Sequence, residues 1–504
     1  MQLGKVLADL FTPQELEQQV GDAVNMDIGN VTQDSRSVAP GCLFISIPCS
    51  DQVQYVEQAI AKGCVAVLGD ANSVQHAASL STKVVSIAYD QPRFALAMIA
   101  RNFYQFQPEC CVAVTGTNGK SSTVHFVRQI WQQLGYNSAS LGTLGLQHEC
   151  EEGATDLVMP NLTTPDALSL HKALQKLADT GVDHIAFEAS SHGLDQYRLH
   201  GVKLKAAAFT NLTQDHLDYH SDMGSYFAAK ASLFDEVLAP DGVAVLNRDD
   251  TMFADLLKIC EHRRLRVVSY SCQGVADIQA RNIIAESNGL VFDLQIGDQL
   301  FNNLEINMLG KFQVENVLAS IGLAVATGED HAKVVDCLSS LSSPIGRMEL
   351  AGVTGGGAAV YVDFSHTPEA LRRALESARQ HVTKSLHVVF GCGGDRDQEK
   401  RPYMGQVAAD LADYVYVTDD NPRTEDPENI RQMVLAGCPN AENIPDRQVA
   451  ITTAVAALKE GDILIIAGKG HENVQILSDR TIPFLDKAVV QSILSNQHTL
   501  QQGG

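Results

Sequence analysis

Short apolar runs alternate with helical periods along most of this chain. Near the start, Cys42 to Ile47 alternates like a strand, Tyr55 to Lys62 follows a helical period, and Val65 to Leu68 is a short buried strand. Arg93 to Phe106 predicts a helix closed by Pro108. Cys111 to Val114 is a compact apolar run. It is followed by glycines and then by Val124, Val127, Ile130, Trp131 and Leu134 at helical spacing, which predicts strand, loop, helix. Further strands are predicted at His184 to Phe187, Lys205 to Phe209 and Val243 to Leu246. Leu341 to Arg347, with Pro and Gly between two helical patterns, predicts a boundary. Beyond it, Ala359 to Val362, Leu386 to Phe390, Tyr414 to Val417 and Ile463 to Ile466 predict a second set of strands, and Gln501 to Gly504 a frayed tail. The pattern is α/β throughout, and the predicted domains are 1–90, 91–342 and 343–504.

Most of these runs end in polar residues. In open parallel sheets, ligands sit at the carboxyl ends of the strands, so these tips are the candidate chemistry. They include Glu188-Ala189-Ser190-Ser191, Thr210-Asn211, Asp363, Gly391 to Arg396, Thr418-Asp419-Asp420-Asn421 and Gly468-Lys469-Gly470-His471-Glu472.

Composition narrows the class. With 504 residues, three domains of ordinary size are expected. Lys plus Arg number 37 against 60 Asp plus Glu, a net charge of −23. That field repels polyanions, so no nucleic-acid partner is expected, and anionic substrates need local cations. The N-terminus lacks the apolar core of a signal peptide, and no apolar run reaches the ~20 residues of a membrane span. No membrane partner is therefore expected, and the 11 cysteines, odd in number and without a C-x-x-C pair, point to a reduced, cytoplasmic protein.

The sharpest motif is Thr115-Gly116-Thr117-Asn118-Gly119-Lys120-Ser121-Ser122, between a strand and a helix. Backbone N–H groups of such a loop, with the helix N-terminus, cradle phosphates; Lys120 suits the β/γ-phosphates and Ser121 suits Mg2+. Val114 stands where the full phosphate-loop pattern has glycine, so the loop is a shortened variant, and a structural glycine turn is the competing reading. Glu188 and His216 are candidate metal groups on neighbouring tips. Taken alone, His216 is more often a packed or surface histidine, and residue type alone favours reading Lys230, among apolar neighbours, as a lysine with its stem buried.

Several motifs in order resemble the Mur ligases. They are the T-G-T-N-G-K-S-S loop, Glu188 to Leu194, Asn211 to His220, Gly346 to Glu349, Val362 to Pro368 and Gly391 to Asp397. Asp420-Asn421-Pro422-Arg423 resembles the signature of the MurE branch, which adds meso-diaminopimelate. The resemblance implies three α/β domains: an N-terminal uridine-nucleotide unit, a central phosphate-loop ATPase and a C-terminal Rossmann-like unit for the amino acid. It implies ATP-dependent ligation to UDP-N-acetylmuramoyl-L-alanyl-D-glutamate through an acyl phosphate, a step of peptidoglycan precursor synthesis on which cell shape and division depend. A sister ligase adding lysine or another amino acid is the alternative within the family. A phosphate-loop ATPase or kinase without ligation is the alternative outside it.

By the same resemblance, Gly116, Thr117, Asn118, Gly119, Lys120, Ser121, Ser122, Asn316, Arg347 and Asp363 bind ATP. Lys120, Glu188, His216 and Lys230 carry the catalysis. Ser121 and Glu188 hold one Mg2+; His216 and Lys230, carbamylated by CO2, hold a second. Ser35, Thr163, Thr164, Ser190, Gln196 and Arg198 meet the UDP substrate. Arg396, Asp420, Asn421, Pro422, Arg423, Gly468 and Glu472 meet diaminopimelate. The expected partners are these small molecules, and the expected state is a monomer. Pro48 to Tyr55 departs from the Gly-rich pattern of the family's uridine-binding segment.

Overall fold

The computed structural model describes residues 1–148, 159–160, 162–215, 219–286 and 289–502, with side chains to residue 495. Residues 1–269 with 322–329 pack as one unit, and residues 270–321 with 330–504 as a second.

The first unit begins with a four-stranded parallel sheet: β1 (Asn30–Thr32), β2 (Cys42–Ile45), β3 (Ala66–Gly69) and β4 (Val85–Ala88), in that order. A parallel sheet needs cover on both faces, so its strands read as continuous apolar runs. Alternate side chains here divide between two cores. Leu43, Ile45, Ala66 and Leu68 pack with Ala95, Leu96 and Ile99 of the helix Pro92–Phe103. Cys42, Phe44 and Val67 pack with Val56 and Ala59 of the helix Gln52–Ala61.

The same unit then builds β5 (Cys110–Thr115), β6 (Ser138–Gly142), β7 (Gly145–His148), β8 (His184–Glu188), β9 (Ala206–Phe209) and β10 (Val243–Asn247). Their spatial order is β10-β9-β5-β8-β6-β7, and only β7 runs antiparallel to its neighbour. β5 lies between β8 and β9, in a register that pairs Val114 with Glu188 and Thr115 with Phe209. The phosphate loop, Glu188 and Thr210 therefore emerge side by side, although Glu188 and Thr210 follow the loop by roughly 70 and 90 residues in sequence.

β11 (Arg266–Ser271) runs across the boundary between the units. The second unit opens with an antiparallel meander, β12 (Ile278–Glu286), β13 (Gly289–Ile296) and β14 (Gln299–Ile306). No strand of this meander is among those expected from the apolar runs, because its residues alternate apolar with polar instead of forming a block. It then forms β15 (Glu349–Val353), β16 (Ala359–Asp363), β17 (Leu386–Phe390), β18 (Tyr414–Val417), β19 (Glu442–Asn443) and β20 (Ile463–Ala467), ordered β15-β16-β20-β17-β18-β19. Only β15 is antiparallel. Ile463, Ile465 and Ala467 face one core; Leu464 and Ile466 face the other. Since β20 lies between β16 and β17, Asp363, Gly468 and Gly391 leave neighbouring tips. A hairpin, β21 (Val474–Ile476) with β22 (Thr481–Pro483), follows β20.

One buried ion pair fixes this end of the sheet. Arg447 Nε and Nη2 donate to the Asp486 carboxylate at 2.7 and 2.8 Å, with both side chains fully buried. Nη2 also donates to the carbonyl of Ala467 at 3.1 Å, one residue before Gly468. Such a pair costs desolvation and contributes more to fixed geometry than to net stability. The C-terminal helix Asp486–Gln502 extends through Gln501 and Gln502, where a frayed tail is expected; Gly503 and Gly504 lie outside the described residues. No helix among the described residues is long and apolar enough to cross a membrane.

Candidate active site

The phosphate loop is held from the side by the tip of β9. Gly116 has φ 145°, and a Cβ there would lie 1.9 Å from Thr210 Oγ1, so only glycine fits. Thr117 N–H donates to the Asn211 carbonyl at 2.8 Å, and Asn118 N–H to Asn211 Oδ1 at 2.9 Å. Gly119, left-handed with φ 86°, caps the helix Lys120–Gln133. Lys120 Nζ donates to the carbonyls of Gly116 (2.8 Å) and Thr117 (2.9 Å). Ser121, in the first turn of this helix, turns its hydroxyl to β8, and Ser122 beside it is buried.

Glu188 is buried at the tip of β8, with 2% exposure. Its Oε1 accepts from Ser121 Oγ at 2.8 Å and from Thr143 N–H at 2.8 Å; Oε2 accepts from Thr143 Oγ1 at 3.1 Å. A Cβ on Gly142 would fall 2.1 Å from Oε1, so the small residue ending β6 makes the carboxylate's place.

Lys230 lies on the helix Met223–Ser232, whose start is fixed by a reciprocal cap between Asp222 and Ser225. The side chain is 1% exposed. Its Nζ donates to the Gly116 carbonyl at 2.8 Å and stands 4.5 Å from the centre of the Tyr226 ring. Burial, and next the nearby Lys120 cation, push its pKa down to about 6. His216 lies outside the described residues.

A polar network leads on from Glu188. Thr143 Oγ1 is 3.2 Å from Thr163 Oγ1. Thr164 Oγ1 donates to the Glu188 carbonyl at 2.7 Å and is 3.0 Å from Ser190 Oγ. Arg198 donates to the Thr164 carbonyl (2.6 Å) and to Gln196 Oε1 (2.8 Å). Five of the six residues assigned to the UDP substrate thus form one connected set. Ser35 is apart from it: it is buried in the short 3-10 turn Ser35–Ser37 between β1 and β2, and its hydroxyl donates to Gln58 Oε1 at 2.8 Å. Ser50 and Asp51, in the atypical stretch, are exposed ahead of the helix Gln52–Ala61.

In the second unit, Gly391 to Arg396 packs against the tip of β18. A Cβ on Gly391 would meet the Thr418 carbonyl at 2.2 Å, and one on Gly394 the Pro422 carbonyl at 1.9 Å. Arg401, fully buried, clamps Glu425 at 2.8 and 2.9 Å and donates to the Gly393 carbonyl at 3.2 Å. Arg423, at φ 51°, donates to the Gly394 carbonyl at 2.8 Å. Asn421 Nδ2 donates to Glu472 at 2.7 Å, and Lys469 Nζ to Asn421 Oδ1 (3.1 Å) and Glu472 (3.2 Å). A Cβ on Gly468 would reach Asp420 Oδ2 at 2.8 Å. Burial raises the Asp420 pKa, while Arg447 and Lys469 oppose it. Arg396 is exposed on the same loop. Asp363 accepts from Met348 N–H at 2.7 Å and Ser365 N–H at 2.9 Å, and burial raises its pKa against the pull of Arg347. Arg347 lies 4.8 Å over the Phe364 ring, and Asn316, on the helix Phe312–Ala326, donates to Gln313 at 3.0 Å.

The comparisons with known proteins agree with this architecture. The Mur ligase middle-domain model matches residues 114–324, and the Mur ligase glutamate-ligase-domain model matches residues 346–470. A relative from Bradyrhizobium diazoefficiens, named UDP-N-acetylmuramoyl-L-alanyl-D-glutamate–2,6-diaminopimelate ligase, is 43% identical over 477 residues, 94% of this chain and 96% of the relative. The chain belongs to the Mur ligase family. A relative of the same name from Caulobacter vibrioides is 44% identical over 92% of this chain and 94% of its own. A solved structure of a ligase of that name superposes with a TM-score of 0.72 at 34% identity, covering 94% of this chain and 95% of the other. The MurF ligase from Thermotoga maritima in complex with ADP shares the fold, with a TM-score of 0.56 at 17% identity and coverage of 88% and 94%.

The donor set in this Mur ligase suits Mg2+. No cluster of three or more His, Cys, Asp or Glu side chains that could hold a metal occurs among the described residues. Mg2+ asks for less: one or two carboxylates plus hydroxyl, water and phosphate oxygens. Glu188 beside Ser121 supplies that chemistry. Thr210 and Asn211, a strand tip marked by the sequence, do hold the loop; residues not foreseen at the site are Gly142, Thr143 and Tyr226. Thr143 follows β6, whose Ser-Ala-Ser-Leu-Gly sequence is too weakly apolar to mark a strand; reading it as one would have pointed to Thr143.

The depressed pKa of Lys230 carries a pH signature. Between about pH 6 and its ordinary value of 10.5, the unfolded chain binds a proton there that the folded chain does not. Folding stability therefore gains with rising pH in that window, at roughly 1.4 kcal/mol per unit for a single site. In CO2-depleted buffer, Lys230→Met is expected to flatten the stability-against-pH curve over that range, read by urea unfolding at several pH values. Parallel curves for the two proteins would contradict a neutral Lys230.

Proposed function

We propose that this chain is an ATP-dependent ligase that joins meso-2,6-diaminopimelate to UDP-N-acetylmuramoyl-L-alanyl-D-glutamate in cytoplasmic peptidoglycan precursor synthesis. The observation that carries the reading is near-full-length identity above 40% to enzymes of that name, together with the continuous polar path from the phosphate loop through Glu188 to Arg198. The enzyme acts as a monomer on small molecules, with no nucleic-acid or membrane partner.

A carboxylate is a poor acyl donor, because hydroxide is a poor leaving group. Transfer of the ATP γ-phosphoryl group to the D-Glu γ-carboxylate supplies phosphate as leaving group. The amine of diaminopimelate then attacks the acyl carbon. A tetrahedral intermediate forms, the C–O bond to phosphate breaks, and the amine loses a proton as the amide forms.

The loop Gly116 to Ser122 binds the ATP phosphates, and Lys120 exchanges its loop carbonyls for phosphate oxygens. Ser121 with Glu188 would hold one Mg2+, and His216 with Lys230 as its carbamate a second; bound there, the ions would supply charge neutralisation between γ-phosphate and carboxylate. Asn316, Arg347 and Asp363 take the base and ribose. Thr163, Thr164, Ser190, Gln196 and Arg198 orient the peptide, and Ser35 contributes to the uridine end. Arg396 and Arg423 pair the carboxylates of diaminopimelate; Asp420, Asn421, Gly468 and Glu472 take its ammonium groups, with Pro422 shaping the turn.

Carbamylation needs a neutral amine. At a pKa of about 6, most of the Lys230 population is neutral at pH 7, against on the order of one in three thousand for an ordinary lysine. Incubation with 13C-bicarbonate is expected to give one carbamate carbon resonance that Lys230→Ala lacks. An identical spectrum for the variant would remove the modification from Lys230.

The decisive assay supplies the UDP-muramoyl dipeptide and ATP with diaminopimelate, lysine or D-glutamate, and reads product mass and phosphate release. Diaminopimelate is expected to be the preferred amine. Preference for lysine would transfer the chain to a sister activity, and phosphate release independent of any amine would abandon ligation. Arg423→Ala is expected to raise the KM for diaminopimelate at least tenfold, as loss of a charge-assisted pair should, with KM for ATP within twofold. Equal rises in both would refute the role of Arg423.

A further inference from the structure

Arg93 has no place in the sites described above, yet its geometry joins it to one of them. It sits in the first turn of the helix Pro92–Phe103 and is exposed. The next residue, Phe94, packs edge-on against Tyr197 (5.7 Å) and His200 (5.6 Å). Tyr197 is left-handed, with φ 58°, between Gln196 and Arg198. The helix is thus pinned to the turn that carries two residues assigned to the UDP substrate.

Both arginines point at one atom. Arg198 Nη2 donates to Gln196 Oε1 at 2.8 Å, and Arg93 Nη1 approaches the same oxygen at 3.5 Å. The amide's orientation is not arbitrary. Tyr219 Oη donates to Asp195 at 2.7 Å, so it accepts from Gln196 Nε2 at 3.1 Å, and Oε1 must face the arginines. Arg198 is partly buried; that burial lowers its pKa, the Asp166 carboxylate pulls it back up from beyond hydrogen-bond distance, and the charge of Arg93 lowers it again.

Nearby carboxylates are engaged elsewhere. Asp166 caps the helix Ala167–Asp179, accepting from Leu168 N–H and Ser169 N–H at 3.1 Å and from Ser169 Oγ at 2.6 Å. Asp195 takes the Tyr219 hydroxyl. Among the described residues, neither guanidinium has a carboxylate within ion-pair distance. Two cations sharing one neutral oxygen repel each other, and each keeps donors with no acceptor. A bound anion would satisfy both.

We infer that Arg93 and Arg198 form a two-armed clamp for an oxyanion of the nucleotide substrate, with Gln196 as spacer; this rests on the ligase reading above. Two parts of that substrate carry such oxyanions, the diphosphate and the peptide carboxylates. Arg93 is the specificity residue this adds to the site.

The test is steady-state ligation by wild type, Arg93→Ala, Arg93→Lys and Arg93→Ala/Arg198→Ala. The fluorescence of Trp131, the only tryptophan in the chain and fully buried, serves as the folding control. Arg93→Ala is expected to raise the KM for the UDP-muramoyl dipeptide roughly tenfold, leaving KM for ATP and diaminopimelate within twofold. Arg93→Lys should recover part of the loss, and the double variant should lose less than the product of the two single losses, because both act on one anion. UDP and L-alanyl-D-glutamate as separate inhibitors identify the anion: the one whose inhibition weakens in Arg93→Ala carries it. An unchanged KM for the nucleotide substrate, or equal rises for all three substrates, overturns the clamp alone. Absence of ligation by wild type sinks both the clamp and the reading on which it rests.

Discussion

Two lysine ammonium groups, Lys120 and Lys230, meet at one carbonyl oxygen, that of Gly116, each at 2.8 Å. The rest of the first unit's chemistry depends on this crowding. Two cations so close and so buried repel, and the more deeply buried one yields its proton. Lys230 is that residue, with its ammonium nitrogen 4.5 Å from the centre of the Tyr226 ring. Gly116 tolerates the arrangement because a side chain there would strike Thr210. Loop, lysine pair and β9 tip therefore constrain one another, and Glu188 completes the set through Ser121.

The second unit solves a different problem. It gathers cationic and polar side chains on glycine-rich turns that must pack backbone to backbone. Gly391 and Gly394 let the loop lie on Thr418 and Pro422, and Gly346 and Gly470 touch where a Cβ on either would clash. Buried arginines hold these turns from behind: Arg401 through the Gly393 carbonyl and Arg447 through that of Ala467. Arg396, exposed, and Arg423, half-buried with its guanidinium on the Gly394 carbonyl, thus sit on a backbone fixed by buried charges. This is how a chain of net charge −23 maintains local positive potential for anionic substrates.

Much of this was legible along the chain. The strands Cys110–Thr115, His184–Glu188 and Ile463–Ala467 are buried on both faces and so read as unbroken apolar runs. The phosphate loop was legible because glycine spacing and the strand-to-helix change coincide. β6 and the meander β12 to β14 were not, since half-polar strands carry only a weak periodic signal. Thr143 went unseen with β6. Arg93 reads as one more surface residue of a helix, because nothing local marks it.

By itself, the sequence determined the α/β class, the polar strand tips and the identity of the groups available for phosphate, carboxylate and amine chemistry. Those follow from local hydrophobicity and residue type. Only the tertiary structure decided which tips are neighbours, because strand order is set by packing across the sheet: β5 lies between β8 and β9, and β20 between β16 and β17. It also decided protonation and partnership. Lys230 is neutral near pH 7 because of burial and a nearby cation, and Arg93 faces Arg198 because Phe94 packs against a left-handed turn a hundred residues away. These are properties of distance and dielectric, which the order of residues does not contain.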